Sequence, residues 1–182
     1  MNQWNSSEKL RELTLYRRLL VVAGSTYLLW WFAVEMLLPT SFNPFGSRIA
    51  VVVAIFLVWA ASFVSTKIQH TIVPLFLGST WLITFHYYYL FLNNGGDFNW
   101  VVGCYVTVTA IGFCFFTARQ LLSYSLYVVA LSVILVIMVP HLLPSVFLPG
   151  LLTILIQANL GLRSRLVLIK TLSTSNPRFP WL

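Results

Sequence analysis

Of the 182 residues, 59% are hydrophobic and only 8% charged. No compact soluble core hides that much apolar surface, so lipid must serve as part of the solvent. The net charge of +7 reads as membrane topology and anionic headgroup contact, and no nucleic-acid partner is expected.

A helix of about 20 apolar residues crosses the hydrocarbon layer of about 30 Å, and six such stretches predict an all-α, polytopic six-transmembrane-helix bundle. They fall near 17–38, 47–66, 70–92, 98–118, 121–139 and 143–163. Before them, residues 1–16 read as a cytoplasmic amphipathic helix. Its start carries the capping-box residues of Asn5-Ser-Ser-Glu8, and Leu10 and Leu13 follow at helical spacing. The first span follows basic residues as a signal peptide would, but its apolar run is long and no small-residue cleavage site follows, so it reads as a retained helix.

The Pro39–Gly46 segment, with two prolines and Asn43, predicts an external turn. Ser65–His70 reads as a brief internal turn and Asn93–Asp97 as the next external loop. Only Arg119 and Gln120 separate the fourth and fifth spans, which predicts a tight helical hairpin. Pro140–Pro144, with His141, turns the chain outside, and Pro149-Gly150 predicts a kink at the start of the last span. Residues 164–182 form a cytoplasmic extension, helical until Asn176-Pro177 stops it.

Orientation follows from the basic residues, because Lys and Arg are retained on the cytoplasmic side. Lys9, Arg11, Arg17, Arg18, Lys67, Arg119, Arg163, Arg165, Lys170 and Arg178 fall on one side of these spans, and only Arg48 falls on the other. Both termini are therefore expected in the cytoplasm.

Small residues let helices approach closely in lipid. Gly103, Thr107, Ala110 and Cys114 form one such stripe, and Ala50, Ala54 and Ala61 another. Cys104 and Cys114 are ten positions apart on one predicted helix, which excludes a disulfide between them.

Ionisable groups at membrane depth are costly unless paired or hydrated, which makes each a functional candidate. Glu35, Arg48, His86, Asp97 and His141 all fall toward the outer side. A polar pocket there, with Glu35, Ser79, Trp81 and His86 as ligand-binding residues, competes with plainer roles. In those, Glu35 pairs with Arg48 to pin the turn at Pro39, and His86 is an interfacial residue of Phe85-His-Tyr-Tyr-Tyr89. The spacing of Ser79, His86 and Asn93 favours an inward polar stripe. Trp30, Trp31, Tyr87, Tyr88, Tyr89 and Trp100 suit an aromatic belt, whereas Trp59, Trp81, Phe113, Phe115 and Phe116 lie deeper and could line an apolar cavity. Gln157 and Asn159 need partners inside the bundle. No catalytic motif, metal cluster or phosphate-cradling loop is present; an enzyme is not expected, nor a cofactor.

From Trp31 to Arg48 the chain reads WFAVEMLLPTSFNPFGSR. The aromatics, Glu35, Pro39, Phe42 and Arg48 resemble the first hairpin of the six-helix membrane sensor of CqsS-type quorum-sensing histidine kinases and related bacterial sensor kinases. Pro74, the Phe85–Tyr89 run and the Asn-rich loop follow the same pattern. The resemblance implies that residues 17–163 are a sensor (input) domain of bacterial signal transduction in the inner (cytoplasmic) membrane. It implies a small hydrophobic ligand and a cytoplasmic kinase or cyclase effector in cis or in trans. Output would run through Pro149, Gln157, Asn159, Arg163 and Arg165, with homodimerisation through the first or last span. The alternative is a structural or assembly subunit of a membrane complex, without a ligand of its own.

Overall fold

The computed structural model describes residues 6–139 and 142–175. Among the described residues the secondary structure is helical: α1 (Ser6–Leu37), α2 (Phe45–Val64), α3 (Thr66–His70), α4 (Ile72–Asn93), α5 (Phe98–Gly112), α6 (Ala118–Met138) and α7 (Pro144–Ser175). The expected cap at Asn5, the outer-side His141 and the stop at Asn176-Pro177 lie outside the described residues, as does the side chain of Lys170.

Four segments are long and apolar enough to cross a membrane: Lys9–Leu37, Phe45–Val64, Ala118–Met138 and Pro144–Leu168. Only 22% to 33% of each spanning window is buried within the protein. The rest of each span is half-buried or exposed and mainly apolar, as lipid-facing helices are, and the chain is a multi-pass membrane protein. Of the other two expected spans, α4 has the length, at 22 residues, but Ser79, Thr80, Thr84, His86 and three tyrosines dilute its hydropathy. With 15 residues, α5 extends only about 22 Å at 1.5 Å per residue.

The helices form two compact units, residues 1–94 and 95–182. The turn between them is made by Gly95 and Gly96, whose φ angles of 63° and 79° lie in the left-handed region that glycine enters without steric cost.

In the first unit, α4 is the most buried element. Ile72, Phe76, Ser79, Thr80, Ile83, Thr84, Tyr87, Leu90 and Phe91 repeat every three or four residues and face inward. Its buried hydroxyls are satisfied within the helix: Ser79 donates to the Leu75 carbonyl at 2.9 Å, Thr80 to Leu77 at 2.8 Å and Thr84 to Thr80 at 2.9 Å. In the α1–α2 pair Leu20 and Ile55 are both fully buried. Gly24 admits the Phe56 ring to within 3.2 Å of where a Cβ would stand. Arg48, Val51, Val52, Ile55 and Ser62 form the buried face of α2. The predicted alanine stripe therefore falls off that face, with Ala50 exposed and Ala54 and Ala61 half-buried. Ser65 to His70, expected as a turn, is a capped helix; the Ser65 hydroxyl accepts from the Ile68 amide.

In the second unit, α6 presents Leu121, Tyr124, Ser125, Val128, Ser132 and Leu135, and α7 presents Phe147, Leu151, Leu155, Ala158 and Leu162. Their near-heptad spacing is that of antiparallel bundle helices. The predicted two-residue link between the fourth and fifth spans is instead Phe113–Thr117; Arg119 and Gln120 belong to α6, where Thr117 accepts from the Gln120 amide at 3.2 Å. Three of the five linking residues are Phe113, Phe115 and Phe116, so hydropathy runs through the bend without marking it. Of the small-residue stripe, Gly103 is buried, Thr107 and Cys114 half-buried and Ala110 exposed. Close approach to α7 falls to Gly112, whose Cβ would lie 3.3 Å from that of Ala158.

α7 continues unbroken through Pro149, although the proline ring withdraws one backbone donor from its second turn. There the Tyr105 hydroxyl donates to the Phe147 carbonyl at 3.0 Å, and the two rings stack at 5.9 Å. Gly150 makes that approach possible, because a Cβ there would stand 2.5 Å from the phenol oxygen.

Candidate functional site

The first unit carries its unusual chemistry where the C-terminal part of α1, the start of α2 and the C-terminal half of α4 meet. His86 is 7% and Arg48 0% exposed, with Tyr27 at 5%. The Tyr27 hydroxyl lies 2.5 Å from His86 Nδ1, and His86 Nε2 lies 2.9 Å from the Ser47 hydroxyl. Ser47 itself donates to the Pro44 carbonyl at 3.0 Å. With that proton committed, Ser47 accepts from Nε2–H, which leaves Nδ1 as the acceptor for Tyr27. For a neutral imidazole the network thus places the proton on Nε2, in a relay running Tyr27, His86, Ser47, Pro44.

Arg48 lies beside this relay. Its guanidinium stands 4.8 Å from the Tyr27 ring centroid. It donates to Asn43 Oδ1 at 2.8 Å and approaches the Tyr27 carbonyl at 3.5 Å. Nε is buried and has no hydrogen-bond partner among the described residues. The expected ion pair with Glu35 is not formed: Glu35 is exposed, and an amide oxygen, not a carboxylate, faces the buried cation. Arg48 is also in the first turn of α2, where the helix dipole disfavours positive charge. Cation and helix terminus together leave a locus of positive potential seeking an electron-rich atom.

Asn43 joins the cation to the turn. Trp31 donates its indole N–H to the Asn43 carbonyl at 3.1 Å, while Asn43 Nδ2 reaches the Trp31 carbonyl at 3.4 Å. A second clasp closes the same turn: the Phe42 amide donates to Asn94 Oδ1 at 2.8 Å, and Asn94 Nδ2 returns a bond to the Phe42 carbonyl at 2.9 Å. Pro39, expected to shape the turn, is exposed within it.

Of the predicted ligand-binding residues, only His86 joins the polar core. Ser79 is buried two turns away and bonds its own helix, Trp81 is half-buried, and Glu35 faces outward. The Ser79–His86 stripe ends before Asn93, which is exposed. Tyr27 and Ser47 carried no sequence signal of their own, Tyr27 lying within an apolar run and Ser47 in the first turn of α2, while Asn43 was legible only as a turn residue and is brought to Arg48 by the fold of that turn. Asp97, expected in the same cluster, caps α5, accepting from the Asn99 amide at 2.9 Å.

The residues assigned to output lie in the second unit. Asn159 donates to Ser125 at 3.3 Å and to the Leu155 carbonyl at 2.8 Å. Gln157, expected to need an internal partner, is exposed, as is Arg163. Arg165 donates to the Phe115 carbonyl, and its guanidinium lies 5.4 Å from the Phe116 ring centroid. It thereby fastens α7 to the α5–α6 bend.

No family model, curated protein or solved structure matches the chain.

Proposed function

We propose that this protein is a membrane-embedded ligand-sensing module of bacterial signal transduction, with six crossings and both termini in the cytoplasm. The observation that carries the reading is Arg48, a fully buried cation with no carboxylate beside it and an uncommitted Nε–H among the described residues. A membrane protein keeps so costly a group where function uses it. A small, largely apolar molecule with one acceptor oxygen would take that donor, and the Tyr27–His86–Ser47 relay would register its arrival by exchanging hydrogen bonds. The hairpin resemblance over residues 31–48 supports the same class of signal. Output would pass to a cytoplasmic kinase or cyclase through α7, whose Arg163 and Arg165 lie toward its C-terminal end.

The topology belongs to this proposal. It takes α4 and α5 as the remaining crossings and the ten-to-one division of basic residues as the mark of the inner face. Localisation in the bacterial inner membrane and dimerisation through α1 or α7 follow from the same reading.

The test is a fusion of the chain to a reporter kinase or cyclase, challenged with small hydrophobic ketones including α-hydroxyketones. An effective ligand changes output in the parent fusion, and Arg48→Gln removes the response while the protein still reaches the membrane. A correctly inserted fusion that answers to none of them, or an Arg48→Gln fusion that answers normally, overturns the receptor reading.

A specific observation favours a second reading, an assembly subunit. The relay and the Asn43 clasp are complete within the first unit and hold three helices together without any ligand. In that case a co-purifying membrane partner is lost when the exposed face of α5 is changed by Ala110→Leu, while Arg48 variants lose only stability.

A further inference from the structure

We infer that the groove between α1 and α2, at the end of the first unit opposite the polar core, is a binding site for one anionic glycerophospholipid. The groove has a volume of about 490 Å³ and is lined by Thr14, Arg17, Arg18, Val22, Trp59 and Phe63 among others. Arg17 and Arg18 line the groove, with the Arg17 guanidinium over the Phe63 ring, and Val22 and Trp59 supply further apolar surface for a chain.

Arg17 is held in place: Nε donates to the Ser62 hydroxyl at 2.8 Å, a terminal nitrogen donates to the Ser62 carbonyl, and the guanidinium lies 4.0 Å from the Phe63 ring centroid. A guanidinium has five N–H donors, so these two bonds leave donors for a phosphate. Arg18 is exposed and adds a second cation at the adjacent position. Trp59 meets Phe63 edge to face at 5.3 Å, giving the acyl side a rigid aromatic wall. Lys9, Arg11 and Lys67 are exposed at the same end of the unit and outnumber the exposed Glu12 there, so the surrounding field favours an anion. The inference rests on the chain being a membrane protein, and on neither its orientation nor its receptor role.

The test offers purified full-length protein phosphatidylglycerol, phosphatidylcholine or glycerol 3-phosphate and counts bound molecules by native mass spectrometry across a titration. Phosphatidylglycerol is expected to bind about tenfold more tightly than phosphatidylcholine. Arg18→Gln should weaken it about fivefold and leave phosphatidylcholine unchanged, whereas Arg18→Lys retains the preference. Val22→Gln should weaken both lipids, and glycerol 3-phosphate should not displace them. Equal binding of the two lipids overturns the site, as does an equal loss from Arg163→Gln on α7, which would mark diffuse attraction. Displacement by glycerol 3-phosphate would make it a free-phosphate site and also overturn the proposal. Failure of the membrane reading shows separately, as release of the expressed protein from membranes by alkaline carbonate.

Discussion

Tyr27 and His86, 59 positions apart in the chain, are joined by a 2.5 Å hydrogen bond that ties α1 to α4. Tyr27→Phe leaves the Nδ1 lone pair of a buried ring without a donor, which costs about 1–3 kcal/mol. Thermal unfolding in detergent is expected to show that loss. The double variant Tyr27→Phe/His86→Leu should be less destabilised than the sum of the single ones, since both sides of that bond are removed together while Ser47 keeps its bond to the Pro44 carbonyl.

Among the described residues, Arg48 has Asn43 as its one side-chain acceptor. Asn43→Ala should lower stability by about 1.5–3 kcal/mol, the range for a hydrogen bond to a charged group. Asn43→Asp, which restores an acceptor and adds a counter-charge, should retain more stability than the alanine variant. Glu35→Gln should stay within about 0.5 kcal/mol of the parent, as for an exposed residue away from such networks. A Glu35→Gln loss matching that of Asn43→Ala would restore the Glu35–Arg48 pair as the fastening of the turn. Denaturation midpoints of the three variants decide it.

Two glycines of α7 should respond in opposite directions. Gly150→Ala drives a methyl group into the Tyr105 phenol and should cost about 1–3 kcal/mol. Gly161 has open space around its Cβ position, so Gly161→Ala should gain up to about 1 kcal/mol of helix propensity. Unfolding temperatures measured in one detergent compare the pair directly.

Topology is open to reporter fusions. Alkaline phosphatase joined after Gly95 should be active, and joined after Lys67 or Thr117 inactive, if six crossings begin and end in the cytoplasm. Activity at all three junctions, or at none, would refute that topology and leave the hydrogen-bonded core of the first unit as described.

Four of the crossings were legible as long, mostly apolar stretches, and part of the stripe on α4 as a period. The bend after α5 was not, because Phe113, Phe115 and Phe116 make a turn look like membrane. Arg48 stood out as the lone basic residue on its side, yet its nearest acidic neighbour in sequence is not its partner. Charge pairing can be guessed from composition, whereas an acceptor such as Asn43 is brought to Arg48 only by the path of the turn. Tyr27 was hidden for a related reason: a tyrosine inside an apolar span looks like any other large side chain until the opposing histidine is in place.

The parting of the two units at Asn94 and Gly95 sets an order of manufacture. Each unit is one uninterrupted stretch of chain, so a ribosome delivers every residue of the first before any of the second. When Asn94 emerges, both halves of its clasp with Phe42 exist, and so do Tyr27, Asn43, Ser47 and His86 around the buried arginine. Every companion of the buried arginine is thus already synthesised before the second unit begins, so sheltering that charge requires nothing from the second half of the chain.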